Sequence, residues 1–217
     1  MRLLTRHPRY LAPRGLAAGA LVMTLAILGT SCGRKVEARV RDGDIIFQTS
    51  QSDQSRAIQM ATHSPYSHMG LVLLRDGRPF VLEAVSPVAR FTPLREWIAR
   101  GQEARFVIKR LRDGSVLDDP NGPPALLKAA LELAGKPYDP WFEWSDERIY
   151  CSELVWKAYE RGLGVHLGRL LPLASFDLSS PVVKAKMAER FGDKVPLDER
   201  VISPASIFDS PLLQEVP

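Results

Sequence analysis

The chain has 217 residues, two cysteines and four histidines, with 45% hydrophobic and 25% charged residues. That length suits one domain or slightly more, and the composition excludes a wholly disordered or fibrous protein. Two cysteines exclude a disulfide scaffold and a four-cysteine zinc site; no HExxH motif or clustered histidine ligands occur, so neither a metal nor a cofactor is expected. The net charge of +4 is unevenly spread. Arg2, Arg6, Arg9 and Arg14 fall in the first 31 residues, which hold no acidic residue, and the remainder carries 25 basic and 25 acidic side chains. A balanced domain has no electrostatic footprint for nucleic acid, so no such partner is expected.

The basic leader is followed by an uncharged apolar stretch, residues 15–28. It is shorter than the roughly 20 residues of a spanning helix and fits the apolar region of a secretory leader. Gly29-Thr30-Ser31 before Cys32 resembles a bacterial lipoprotein signal. Residues 1–31 are therefore expected to be removed, Cys32 to be lipidated, and residues 32–40 to form a tether. The protein is expected to be exported and anchored to a membrane through lipid. Gly33 in place of Asp resembles the sorting pattern for the periplasmic face of the outer membrane.

Asp42-Gly43-Asp44 turns into a short buried strand at residues 45–47. Residues 53–60 read as a helix with Asp53 as its N-cap, broken by His63-Ser64-Pro65-Tyr66. Two β-rich runs, residues 67–74 and 79–85, flank Asp76-Gly77 and predict a hairpin. A short helix carrying Trp97 is expected over 94–100 and a third strand over 105–110. Proline starts a helix over 125–134, and Gly135-Lys136-Pro137 stops it. An irregular aromatic stretch, residues 138–144, precedes an amphipathic helix over 151–161 that Gly162 ends. Residues 163–217 are rich in Pro and Ser, with one helix over 182–191. The fold class is α+β, an antiparallel sheet packed with helices, in one domain over 41–217.

The hairpin carries a chemical consequence. With Asp76-Gly77 as the loop, Arg75 pairs with Arg78, Gly70 with Glu83, and His68 with Val85. His68 and Glu83 then share one face as diagonal neighbours, and a one-residue slip would separate them. Gly70, on the same face, leaves space beside the imidazole. Glu83 in an apolar strand needs a partner, and a carboxylate beside a histidine orients it and stabilises its cation. Cys151 begins a helix, where unsatisfied N–H groups and the positive dipole end favour a thiolate and can receive an oxyanion. Nucleophile, base and orienting acid together follow the logic of a Cys-His-acid hydrolase.

Asp42-Gly43-Asp44-Ile45-Ile46-Phe47, Ser67-His68-Met69-Gly70-Leu71-Val72, Gly135-Lys136-Pro137-Tyr138-Asp139, Tyr150-Cys151-Ser152-Glu153-Leu154-Val155 and Ile202-Ser203-Pro204-Ala205-Ser206-Ile207 resemble the YiiX/YebB-like family. These are permuted papain-like amidases of the NlpC-type superfamily, in which the histidine and acid precede the cysteine. The resemblance spans residues 42–207. It implies a permuted papain-like fold, Cys151 as nucleophile, His68 as base and Glu83 as the orienting third residue, with Tyr150 or Tyr66 helping the oxyanion. Glu153 reads as structural and Asp139 as shaping the loop over the site; Trp141, Phe142 and Trp144 are candidates to line a cleft. The expected activity is hydrolysis of an amide bond in a small peptide or acyl-amide substrate. Two alternatives stand beside it: an acyltransferase or lipid thioesterase with the same residues, and a binding module with a spent site.

Overall fold

The computed structural model describes residues 36–217, in which helices pack around a six-stranded antiparallel sheet. In chain order its elements begin with β1 (Ile45–Gln48), α1 (Asp53–Thr62), β2 (His68–Arg75), β3 (Arg78–Glu83), β4 (Arg90–Pro93), α2 (Leu94–Ala99) and β5 (Val107–Leu111). They continue with α3 (Ser115–Asp118), α4 (Gly122–Leu133), α5 (Cys151–Leu163), β6 (Leu171–Pro172), α6 (Pro181–Phe191), β7 (Arg200–Val201), α7 (Pro204–Phe208) and β8 (Leu213–Glu215). The sheet order is β4-β3-β2-β1-β5-β8, and β6 pairs with β7 separately.

Strand alternation assigns the two faces of the sheet. Ile45, Phe47, Met69, Leu71, Leu73 and Leu82 join one core cluster with Leu126, Ala130, Leu133, Leu154, Val155 and Ala158 of α4 and α5. Ile46, Val72, Val81 and Ile108 join Leu94 and Trp97 of α2 in a second. Val40 is buried in that second cluster, and Glu37 pairs with Arg95 at 2.6 Å, so the chain is packed on the domain before β1 begins.

The β2–β3 hairpin has the register expected of an Asp76-Gly77 loop: Arg75 faces Arg78, Val72 faces Val81 and Leu71 faces Leu82. Asp76 and Gly77 both take positive φ, as a two-residue hairpin turn of this kind requires. Gly70 differs from expectation. A Cβ there would lie 2.4 Å from Val81 Cγ1 and 2.8 Å from the Leu82 carbonyl. The room it leaves is taken by β3, drawing the neighbouring strand close, and does not border the imidazole.

Three further readings are corrected. The N-cap of α1 is Ser52 and Asp53 is the first helical residue, where its charge still complements the dipole. Gly162 lies inside α5, which ends at Gly164 in the left-handed conformation (φ 66). The reason for Gly162 is packing: a Cβ would stand 2.7 Å from the Leu126 Cα of α4. The stretch after α5 also contains more than one helix, since β6, β7, α7 and the edge strand β8 are all formed there.

Candidate active site

His68 is the first residue of β2 and Glu83 the last of β3, so both side chains stand at one end of the sheet. Their bond is direct: His68 Nε2 lies 2.7 Å from Glu83 Oε2. Glu83 is fully buried and its other oxygen accepts from Thr92 Oγ1 at 2.6 Å and from the Arg100 guanidinium. Trp97 stacks against the imidazole at 5.7 Å between ring centroids, fixing its plane.

Cys151, the first residue of α5, lies near enough to the imidazole to interact with it. With Nε2 committed to Glu83, Nδ1 is the ring nitrogen left for the thiol. Burial pushes the His68 pKa down, but the contacts with Cys151 and Glu83 outweigh it and hold it at about 9. Burial likewise pushes Glu83 up, and the bond to His68, then Thr92 and Arg100, bring it to about 2. The two groups favour a carboxylate–imidazolium pair across neutral pH.

The start of α5 is braced on both sides. Tyr150 N–H donates to Glu153 Oε2 at 3.3 Å, and Glu153 Oε1 lies 2.7 Å from Lys157 Nζ. Ser152 Oγ donates to the Ile202 carbonyl at 2.8 Å, and Ile202 N–H donates to the Tyr150 hydroxyl at 3.1 Å. The late Ile202-Ser203-Pro204 segment is thereby stapled to the cysteine turn. Asp139 Oδ1 accepts from Trp141 N–H at 2.8 Å, which shapes the loop in front of the site.

Of the two tyrosines read as oxyanion candidates, Tyr150 borders Cys151 with its hydroxyl taken by Ile202. Tyr66 lies elsewhere: it stacks on Phe208 at 4.3 Å and lines a cleft with Thr49, Pro65 and Phe106. Tyr138 stands in a position the sequence reading did not single out. It is half-buried near Cys151 and its hydroxyl accepts from Gln54 Nε2 at 2.6 Å, leaving its own proton free to donate. Burial and the nearby thiol push its pKa to about 12, so it stays protonated at neutral pH. Its signal was present in the Gly135–Asp139 motif; that of Gln54, on an ordinary amphipathic helix, was not.

Two cavities meet at this point. One, beside Cys151, is walled by Ala57, Ile58, Ala61, Phe142, Leu173 and Met187 and is almost wholly apolar. The other, beside His68, is far more polar, with a mixed lining that includes Ser67, Tyr138, Trp141 and Glu189. Of the three aromatic candidates, Phe142 borders the apolar cavity and Trp141 the other, whereas Trp144 packs edge-on against Trp156, away from both. Cys32 and the leader lie outside the described residues.

In chain order the imidazole and carboxylate precede the thiol, and the helix bearing the thiol packs on the sheet that carries the other two. That connectivity is the one of permuted papain-like cysteine hydrolases. The family model described as "Permuted papain-like amidase enzyme, YaeF/YiiX, C92 family" matches residues 39–217, and the chain belongs to that family. It is 49% identical over 174 residues to the uncharacterized protein YiiX of Escherichia coli strain K12, covering 80% of this chain and 84% of that protein. It is also similar to the crystal structure of YiiX from Escherichia coli O157:H7, described as a metalloprotein, with a TM-score of 0.79 and 46% identity. That match covers 82% of this chain and 97% of the other.

Proposed function

We propose that this cysteine hydrolase cleaves the amide bond of an N-acylated substrate, with Cys151 as nucleophile, His68 as acid and base, and Glu83 as the group that orients His68. The observation that carries the reading is the position of Cys151 between an apolar cavity and the imidazole. An aliphatic acyl group fills the former and places its carbonyl carbon at the sulfur.

The sulfur attacks that carbon, a C–S bond forms, and the carbonyl π electrons move to oxygen. The oxyanion is received by N–H groups of the first turn of α5 and by the Tyr138 hydroxyl. Collapse breaks the C–N bond, and the departing nitrogen takes its proton from His68. Neutral His68 then accepts a proton from water, whose oxygen attacks the thioester and releases a fatty acid and the thiolate. Glu83 stays ionised throughout and keeps Nδ1 aimed at the reacting atoms. The YiiX crystal structure is described as that of a metalloprotein; among the described residues here no three His, Cys, Asp or Glu side chains converge as ligands, and no step runs through a metal.

The test is incubation with a panel of N-acyl amides, acyl lipids and cell-wall stem peptides, followed by mass spectrometry of Cys151. An acyl adduct and free fatty acid from the N-acyl amides are expected. An adduct formed only by stem peptides would overturn the acyl assignment, and transfer to an added amine in place of water would favour an acyltransferase. We also propose that the enzyme is exported and held to the membrane by lipid on Cys32. Cys32→Ser is expected to release it from membranes or leave it uncleaved, and wild-type protein found with a free Cys32 thiol would refute the anchor.

A further inference from the structure

Arg190 of α6 stands where the two cavities meet and lines both. Its Nη2 donates to Gln54 Oε1, and its guanidinium lies over the Phe142 ring at 4.8 Å from the centroid. Among the described residues no carboxylate comes within ion-pair distance of it. The nearby Lys186, which borders the same two cavities, is committed to Glu189 at 2.5 Å. Asp53, the other acid bordering the polar cavity, is exposed at the first turn of α1, where it complements the helix dipole. Burial pulls the Arg190 pKa down. A half-buried guanidinium carries a desolvation cost that a neutral amide partner only partly offsets, and its planar fork has donors to spare.

We infer that Arg190 is the receptor for an anionic group on the leaving-amine half of the substrate, which makes that substrate an N-acyl amino acid with a free carboxylate. The inference rests on the reading of the apolar cavity as the acyl site. With the acyl chain there and the carbonyl carbon at Cys151, the nitrogen that His68 protonates must face the polar cavity. An α-carboxylate is two bonds from that nitrogen, and Arg190 sits at the junction the nitrogen occupies. A guanidinium binds a carboxylate through two parallel hydrogen bonds, which fixes the leaving half in orientation as well as in charge. No new bond-making step is involved. Phosphate on the same half would satisfy the same fork, so the experiment separates the two.

The experiment compares three ligands of equal chain length below their micellar concentrations: N-lauroylglycine, its neutral isostere N-lauroylglycinamide, and N-lauroyl phosphoethanolamine. Binding to purified Cys151→Ala protein is measured by calorimetry, and kcat/KM is measured on the protein with Cys151 intact. Tighter binding and faster turnover of N-lauroylglycine than of the glycinamide are expected, by about tenfold to a hundredfold for a charge-assisted pair. In Arg190→Gln, checked for folding by circular dichroism, that ratio should fall close to one. Arg190→Lys should retain part of it. Taking a ratio cancels any shared effect of losing the Gln54 contact. Equal affinity for the charged and neutral ligands, or a preference that survives Arg190→Gln, would overturn the inference. Preference for the phosphate over the carboxylate would overturn the amino-acid assignment. Arg190-dependent binding of N-lauroylglycine without any cleavage would instead refute the amide-hydrolase reading and leave the anion site standing.

Discussion

Glu83 and His68 each hold the other's charge across one hydrogen bond, and that mutual dependence is open to titration. His68 sits at about 9 because Cys151 and Glu83 outweigh its burial. A base that must be protonated to release the amine loses that capacity as pH rises through its pKa. The alkaline limb of kcat/KM is therefore expected near pH 9. In Glu83→Gln the carboxylate contribution is gone and the limb should move to lower pH, with kcat reduced and the fold retained by circular dichroism. A limb that stays in place in that variant would remove Glu83 from the site. Replacing Cys151 or His68 by Ala should each cost on the order of 10³-fold or more, and the double variant should be hardly worse than either, since such groups act as a unit. Steady-state kinetics on the substrate found by the acyl-amide panel measures both effects.

At the scale of elements, the site depends on where α5 is held. Its N-terminal turn is pinned by Ile202 and by the Glu153 bond to Tyr150 N–H, and its body lies against α4. Gly162 permits that approach: an added Cβ meets backbone at Leu126 and Ala125, which cannot swing aside as a side chain can. Gly162→Ala is expected to lower stability by about 1–3 kcal/mol through overpacking, read as a lower midpoint in denaturant unfolding. Unchanged stability would mean that α4 and α5 separate freely. The hairpin shows how much register alone conveys. Alternation along 68–75 and 78–83, plus a two-residue loop, puts His68 and Glu83 on one face, and their side chains meet at 2.7 Å. Gly162 shows the opposite. A glycine near a helix end reads as a stop, and only the neighbouring helix reveals that it is a contact.

For the whole molecule, the buried charges make stability a function of pH with two opposing parts. Glu83, lowered to about 2, contributes stability that is present above its ordinary value of 4.5 and lost as pH falls towards 2. His68, raised to about 9, contributes stability that is full below 6.5 and lost as pH rises through 9. Glu153 works the other way inside that window. Its burial outweighs the Lys157 contact and raises it to about 7, so its contribution is full below 4.5 and lost as pH rises to 7. Glu153→Gln removes that slope. Denaturant unfolding at pH 4.5 and pH 7 should show the variant gaining on the wild type at the higher pH; a constant difference would contradict the buried-acid account. The same division between local and distant causes separates what the sequence determined from what the tertiary structure decided. Period-two alternation, the Asp-Gly loop and the cysteine before an amphipathic helix were enough, by themselves, to set the β2–β3 hairpin, pair His68 with Glu83 and nominate Cys151, because each depends on neighbours within one hairpin or one turn; the short strands β4, β6, β7 and β8, whose pairing comes from distant or edge partners, were not legible. The placement of Tyr138, the splitting of the cleft into an apolar and a more polar cavity, and the position of Arg190 at their junction depend on α1, α6 and the 138–144 loop converging from positions far apart in the chain. Only packing brings those side chains together: the Gly135–Asp139 motif carries Tyr138, but no local pattern sets it beside Gln54 and Cys151.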